Sequence, residues 1–152
     1  MLIKIEKNKE NIALCVTQKD YTAGNTYSMS NLALNYKSKK EYDKAWIHLN
    51  RGLAITTAKN KASIMNTAGV MHLHGYGTPK DYNKAISYFK QSSSLGNMYA
   101  TYNLASHSFY YDYDFAKGIE YTILGIQQKH KTLKKLLGDC YRYGKLLPKN
   151  EE

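Results

Sequence analysis

The sequence has few of the features that mark secreted and membrane proteins. Its two cysteines, Cys15 and Cys140, lie near opposite ends of the chain, and so few thiols cannot build the disulfide framework of a small secreted domain. No run of about 18 apolar residues is present to cross a membrane. The opening residues 1–7 are too charged for the apolar core of a signal peptide. These absences predict a reduced, cytoplasmic protein, and they leave open delivery into a host cell by a route without a signal peptide.

Motifs that would indicate catalysis are also absent. The chain has no Gly-x-Ser-x-Gly, His-Glu-x-x-His or phosphate-loop pattern. His72 and His74 are the one pair with metal-ligand character, but residues two apart on a helix point about 200° apart, and no nearby cysteine or carboxylate completes a site. The segment Gly75-Tyr76-Gly77 lacks the third glycine of a dinucleotide loop and predicts a turn with positive φ. We therefore predict a protein that is not an enzyme and holds no metal or cofactor.

Acidic residues are few beside basic ones. Lysine and arginine total 22 against 12 aspartates and glutamates, which gives a formal charge of +10. Such a charge suits nucleic acid, an anionic membrane surface or an acidic protein partner. The sequence is also rich in Lys, Asn, Tyr and Ile, which AT-rich codons encode, so genome composition is a competing explanation of the charge.

What the sequence does contain is an internal repeat. Small residues recur at Ala33, Gly69, Ala105 and Gly138, at steps of 36, 36 and 33 residues. A second series places small residues seven apart, two turns along one helix face, where helix backbones can approach closely. Its pairs are Ala45 with Gly52, Ala85 with Ser92, and Gly118 with Gly125. The two series share one register, which predicts stacked two-helix units.

The register predicts where the helices lie. First helices are expected near 26–38, 61–74, 98–110 and 131–143, and second helices near 8–23, 41–57, 81–95 and 114–128. Asp81 and Asp114 suit helix starts, because a carboxylate accepts hydrogen bonds from the free backbone N–H groups there. Gly96 suits a helix end. We predict one repeat domain over 1–152, with units at 8–24 (half), 25–59, 60–96, 97–130 and 131–152 (half with a tail).

The second unit resembles the Sel1-like repeat family, whose members are related to tetratricopeptide repeats. The resemblance is carried by Ala68-Gly69, Gly75-Tyr76-Gly77, Pro79–Tyr82, Lys84-Ala85, Tyr88-Phe89 and Gly96-Asn97. It implies an all-α fold, a short right-handed α-solenoid of about seven to eight helices in antiparallel pairs. It also implies non-catalytic protein–protein interaction, as an adaptor, scaffold or inhibitor. Units one and three lack the turn glycines and have Lys37–Lys40 and Tyr110–Tyr113 there instead.

The resemblance places a concave, partner-binding face on the first helices. The predicted partner-binding residues are Tyr27, Leu34, Lys37, Asn66, Val70, Leu73, His74, Tyr99, Tyr102, Phe109, Tyr110, Lys135, Asp139, Arg142 and Tyr143. A separate set is predicted for the core, namely Leu32, Tyr36, Trp46, Leu49, Leu104, Leu137 and Tyr141. Tyrosine offers a large contact area at little cost in rotamer entropy. With the basic side chains, this face favours a protein or peptide with acidic and apolar side chains.

Two alternatives stay open. The same basic, tyrosine-rich groove would suit RNA or single-stranded DNA, because bases stack on aromatic rings. Phosphate binding would weaken steeply with salt, whereas peptide binding would weaken modestly. The second alternative is a homodimer through the ends, because Leu133, Leu136 and Leu137, with Leu146-Leu147, form an apolar surface that no second helix follows to cover.

Overall fold

The structure is a computed structural model that describes residues 26–55 and 61–143, without the side chains of 136 and 139–143. Within these ranges the chain is all-helical, with no strand. The helices are α1 (Thr26–Ser38), α2 (Tyr42–Ala54), α3 (Lys61–His74), α4 (Tyr82–Ser94), α5 (Met98–Tyr110), α6 (Phe115–Gln127) and α7 (Lys131–Tyr143). None of these seven helices has the length and hydropathy that a membrane crossing requires.

The helix bounds agree with those expected from the repeat register. The four first helices, α1, α3, α5 and α7, have the predicted bounds, and the three second helices begin and end slightly inside theirs. The predicted helix at 8–23 lies outside the described residues. The helices belong to two compact units, an N-terminal unit ending at Ala85 and a C-terminal unit beginning at Ile86. The finer division into repeat units stays a prediction.

Side chains cap the helices where the sequence predicted helix starts. Asp81 Oδ1 accepts a hydrogen bond from the Lys84 N–H at 2.9 Å, and Asp114 Oδ1 accepts one from the Lys117 N–H at 3.1 Å. Asn97, which precedes α5, accepts the N–H groups of the second and third helical residues at 3.0 and 3.1 Å. Gly96 has φ 86° and follows α4 closely. Local sequence therefore fixes most of these helix ends.

The core of the N-terminal unit lies where α1 packs against α2 and α3. Its buried members are Met29, Ala33, Ala45, Leu49, Ile64 and Met71, with Tyr36, Tyr42, Trp46 and Tyr76 packed against them. Gly52 is part of the predicted small-residue face. A Cβ atom there would lie 3.1 Å from Ile64 Cγ1 and closer still to its terminal methyl, so α2 and α3 pack around the missing side chain.

The core of the C-terminal unit is built by α5, α6 and α7 and contains Ala105, Phe109 and Leu133. A Cβ atom on Gly118 would lie 2.7 Å from Phe109 Cζ and closer to two other ring atoms. A Cβ atom on Gly125 would likewise collide with the end of the Leu133 side chain. The two α6 glycines therefore make the room that these two large side chains fill.

Two sequence expectations are wrong at these core positions. Phe109 was predicted for the partner-binding face, but it is 2% exposed because its ring fills the space beside Gly118. Leu133 was predicted for an apolar end surface, but it is fully buried against Gly125. Leu137 is half-buried, and the side chain of Leu136 and residues Leu146-Leu147 lie outside the description. A dimer through the ends stays a prediction, without Leu133.

Candidate functional site

Hydroxyl hydrogen bonds hold the two first helices of the N-terminal unit side by side. The Ser30 and Thr67 hydroxyls are 2.9 Å apart, and the Ser30 hydroxyl also lies 3.3 Å from the Ser63 carbonyl oxygen. Both hydroxyls are buried, where an unpaired polar group would be costly. The predicted partner-binding residues of α1 and α3 therefore stand on adjacent helices.

Most predicted residues of α1 and α3 reach the surface. Tyr27 is 60% exposed and Leu34 is also exposed. Three predicted residues of α3 are half-buried, namely Asn66, Val70 and Leu73. These side chains form a surface that is partly polar and partly apolar. The two remaining predicted residues of this unit, Lys37 and His74, both contact one aromatic ring.

Lys37 and His74 meet at the ring of Tyr76. The Lys37 ammonium lies 5.9 Å from the Tyr76 ring centroid, within cation–π range. The His74 ring is 5.3 Å from the same ring, and Tyr42 stacks on it at 5.1 Å. We call these four residues, with Lys80, the Tyr76 cluster. The sequence predicts Tyr76 only as part of a turn, and its position between two turn glycines is the signal that marks it.

The turn between α3 and α4 holds this cluster in place. The Trp46 indole N–H donates a hydrogen bond to the Tyr76 carbonyl at 2.8 Å, and the Tyr76 N–H donates one to the Met71 carbonyl at 2.9 Å. Gly75 has φ 71° and Gly77 has φ 67°, as the sequence predicted. A Cβ atom on Gly75 would lie 2.8 Å from Lys80 Cγ. Lys80 therefore runs over Gly75, beside His74.

The imidazole of His74 lies in a cationic setting. Burial lowers the pKa of His74, and the positive charges of Lys37 and Lys80 lower it further. No carboxylate contributes to this shift. The arrangement therefore favours the neutral form of His74, and a negative charge that approaches would favour its protonation.

His72 is a buried packing residue, although it is only two residues from His74. It is buried and packs edge-on against Trp46, with ring centroids 5.0 Å apart. Burial lowers the pKa of His72, Lys84 lowers it further, and Asp81 opposes the shift. In residues 26–55 and 61–143, no group of three or more His, Cys, Asp or Glu side chains is placed to hold a metal ion.

In the C-terminal unit, the predicted tyrosines lie along one face of α5. Tyr99 is 59% exposed and Tyr110 is 53% exposed. Tyr102 is half-buried and stacks on His130 at 5.2 Å with nearly parallel rings, and Tyr99 meets the same imidazole edge-on at 5.5 Å. Steps of three and eight residues keep the three tyrosines on one side of the helix. We call Tyr99, Tyr102 and Tyr110 the α5 face.

The turn after α5 adds two tyrosines that the sequence analysis did not select. Tyr111 stacks on His107 at 5.1 Å, and His107 Nδ1 lies 3.3 Å from Asp112 Oδ2. Tyr113 has φ 53° and is 71% exposed. The missing turn glycines were the signal that this turn differs. The α5 face therefore continues into an exposed tyrosine turn that also bears aspartates.

The remaining predicted residues belong to α7. Lys135 is exposed. Asp139, Arg142 and Tyr143 lie in the helix, but their side chains are outside what the structure describes. Phe109 belongs to the core rather than to an accessible surface, because its ring packs beside Gly118.

The C-terminal unit also has an open cleft of about 380 Å³. Its lining residues are Lys90, Ser93, Ser94, Gly96, Leu104, Tyr121, Leu124 and Gln128. The side-chain amide of Gln128 already has a hydrogen-bond partner, since its oxygen accepts a hydrogen bond from the Thr101 hydroxyl at 2.7 Å. Lys90 is the one charged residue in the lining.

Comparison with known proteins identifies the repeat. A Sel1 repeat family model matches residues 62–97 and 136–152. These two segments are therefore similar to the Sel1 repeat. The first match has the bounds of the second predicted unit to within two residues, and Sel1 repeats are in general protein–protein interaction modules and typically non-catalytic scaffolds.

A solved Sel1 structure is similar across most of the chain. The crystal structure of a Sel1 repeat protein from Oxalobacter formigenes matches 83% of this chain and 97% of that chain, with a TM-score of 0.60 and 19% sequence identity. This likeness shows the fold, an α-solenoid of adjacent helix pairs. No curated protein matches the sequence.

Proposed function

We propose that this Sel1 repeat protein is a non-catalytic adaptor, scaffold or inhibitor that holds a segment of a partner protein on its first helices. The observation that carries the proposal is the α5 face, where Tyr99 and Tyr110 expose more than half of their surface. Packing does not account for them, because Leu104, Ala105 and Phe109 fill the core on the buried side of the same helix. Exposed tyrosines on a rigid element are typical of recognition surfaces.

The α5 face is suited to binding because part of it is already ordered. Tyr102 stacks on His130, and Tyr99 rests against the same imidazole. Rings that are held before binding lose little rotamer entropy when a partner arrives. Tyr99 and Tyr110 are separated by about 16 Å along the helix axis, a span that suits an extended or helical peptide segment.

The partner we propose is acidic as well as apolar, and the setting is the cytoplasm. The chain has a formal charge of +10, and the Tyr76 cluster adds two lysines beside aromatic rings. Acidic side chains would be attracted to such a surface before contact, which raises the association rate.

The test is a double variant, Tyr99→Ala with Tyr110→Ala. Proteins captured by the wild type are identified by mass spectrometry, and the affinity of each purified partner is then measured by calorimetry. We expect the double variant to weaken binding by at least about tenfold. Tyr82→Ala is the matched control, because Tyr82 is an exposed tyrosine on α4. Equal affinity of the double variant and the wild type would refute the proposal, provided that both have the same circular dichroism spectrum.

A second candidate is single-stranded nucleic acid on the same tyrosines. Exposed rings and nearby lysines favour it, since bases stack on aromatic side chains. Asp112 and Asp114, in the turn that continues the α5 face, count against it because they would repel phosphates. An oligouridylate whose affinity falls steeply between 50 and 200 mM salt, on the order of 10³-fold or more, would favour this candidate over a protein partner.

A further inference from the structure

The Tyr76 cluster combines cationic groups that come from different elements. Lys37 extends from α1, His74 ends α3, and Lys80 lies in the turn before α4. Lys37 and His74 meet at the Tyr76 ring, at 5.9 Å for the ammonium and 5.3 Å for the imidazole, and Lys80 acts electrostatically on His74. Lys80 is directed to this place by Gly75, which leaves room for its side chain. The cluster is therefore built by the fold rather than by neighbouring positions on one helix.

Two carboxylates near this cluster in sequence are engaged elsewhere, and a third, Asp43, is exposed on α2. Asp81 Oδ1 accepts the Lys84 N–H and caps α4. Glu41 forms an ion pair with Lys44 on α2. In the described part of the chain, no ion pair joins Lys37, His74 or Lys80 to a carboxylate. The cluster therefore has positive charge that its own surroundings do not neutralise.

We propose that the Tyr76 cluster binds a carboxylate side chain of the partner protein, and that this binding is coupled to the uptake of one proton by His74. The inference rests on the proposed function for its partner class. The carboxylate accepts hydrogen bonds from the Lys37 and Lys80 ammonium groups, and a proton moves from solvent to an imidazole nitrogen of His74. The bound carboxylate offsets part of the repulsion that the two lysines exert on the imidazolium, which becomes a third donor to the anion.

The direction of the pH dependence follows from the charges around His74. The groups that face it are Lys37 of α1 and Lys80 and Tyr76 of the turn, with Tyr42 of α2 behind the Tyr76 ring. Burial, followed by the charges of the two lysines, lowers the pKa of His74 in the free protein. A bound carboxylate opposes this shift and raises that pKa. Affinity therefore increases as pH falls through the range between the two pKa values, by at most about tenfold per pH unit for one proton.

A carboxylate suits the cluster better than a phosphate backbone does. The rings of Tyr42 and Tyr76 offer apolar contact to the residues that flank an acidic side chain in a peptide. An acidic peptide with apolar neighbours uses both features.

The first experiment is an NMR titration of the full chain with acetylated, amidated tetraglutamate. We expect the peptide to raise the pKa of His74 and to bind more tightly at pH 6.5 than at pH 7.5. His48 is an internal reference, since its ring stacks on Tyr36 and burial, followed by Arg51, lowers its pKa. Tetraglutamine at the same concentration should move neither imidazole. Failure of tetraglutamate to move His74 more than His48 would overturn the inference.

Variants separate the cluster from general charge effects. Lys80→Gln should raise the pKa of His74 in the free protein and weaken tetraglutamate binding severalfold, whereas Lys90→Gln, which removes a lysine on α4, should change neither. His74→Phe should keep the ring contact with Tyr76 and abolish the pH dependence of binding. An unchanged pKa of His74 in Lys80→Gln would show that Lys80 does not lie beside His74, and it would overturn the proposed site.

The outcome is distinguishable from failure of the proposed function. Coupling between tetraglutamate and His74 supports the site even if the α5 variants leave partner capture unchanged, and in that case only the α5 face is wrong. If the α5 variants lose partner capture and tetraglutamate does not change the pKa of His74, only the carboxylate site at the Tyr76 cluster is rejected. Tighter binding of an oligouridylate than of tetraglutamate, with a steep salt dependence, would overturn the carboxylate assignment.

Discussion

The N-terminal and C-terminal units use aromatic side chains in different ways, although both are built from helix pairs of one repeat. In the N-terminal unit, Tyr42 and Tyr76 gather at the turn after α3, beside two lysines and a histidine. In the C-terminal unit, tyrosines lie along α5 and continue into the turn after it, where Asp112 and Asp114 stand among them. One unit therefore offers a compact cationic site and the other a longer tyrosine surface.

The difference originates in the turn that follows the first helix. Gly75 and Gly77 adopt positive φ without steric cost and bring Tyr76 back onto the core of its unit. The turn after α5 has no glycine, and Tyr113 adopts φ 53° instead and points its ring into solvent. A tyrosine in this conformation costs about 1–3 kcal/mol, and the turn gains an exposed ring in exchange. Sequence variation in this one turn changes the surface while the helices stay the same.

The largest effect is expected from Phe109→Ala, which separates core from surface in α5. The ring fills the space at Gly118, so its removal should lower the free energy of unfolding by about 3–5 kcal/mol. Tyr110→Ala, one residue later and exposed, should change it by less than about 0.5 kcal/mol. Urea denaturation of both variants measures the difference. Similar midpoints for the two variants would mean that Phe109 does not belong to the core.

A smaller effect is expected where the two units use glycine for helix packing. In Gly118→Ala the new methyl meets three atoms of the rigid Phe109 ring, and we expect a loss of about 1–3 kcal/mol. In Gly52→Ala it meets the flexible end of Ile64, which can turn aside, and alanine favours the helix by about 1 kcal/mol. Thermal melts should rank Gly118→Ala as the less stable variant. The reverse order would show that the N-terminal unit is the more tightly packed one at this contact.

The smallest effect is expected at the helix N-termini. Asn97 accepts two backbone N–H groups at the start of α5, so Asn97→Ala should cost about 1 kcal/mol. Glu41 precedes α2 and makes no side-chain cap; its exposed ion pair with Lys44 is of a kind that adds little stability. Glu41→Ala should therefore leave the urea midpoint unchanged within error. A cost for Glu41→Ala equal to that for Asn97→Ala would contradict this account of helix capping.

Much of the fold could be predicted because it depends on local and periodic features. The helix bounds follow from the small residues and from caps such as Asp81, Asp114 and Gly96, whose effects act within a few residues. The fate of Phe109 could not be predicted in this way. Its position in the repeat register predicts the partner-binding face. The ring lies in the core instead, because Gly118, on another helix, has no side chain and leaves room for it.

The candidate site was only partly predictable for a similar reason. Lys37 and His74 were selected because they occupy first-helix positions, whereas their meeting at Tyr76 depends on how the glycine turn folds back. The hydrogen bond from Trp46 to the Tyr76 carbonyl, which links α2 to that turn, has no signature in the sequence. Contacts between distant segments decide such placements, and the repeat register contains no information about them.

The position of Trp46 provides an optical signal from one unit alone. It is the only tryptophan in the chain, its indole N–H is bonded to the turn that holds Tyr76, and its ring lies 5.0 Å from that of His72. Tryptophan emission responds to hydrogen bonding and to a charged imidazole nearby. Unlabelled protein therefore reports by fluorescence on the glycine turn of the N-terminal unit.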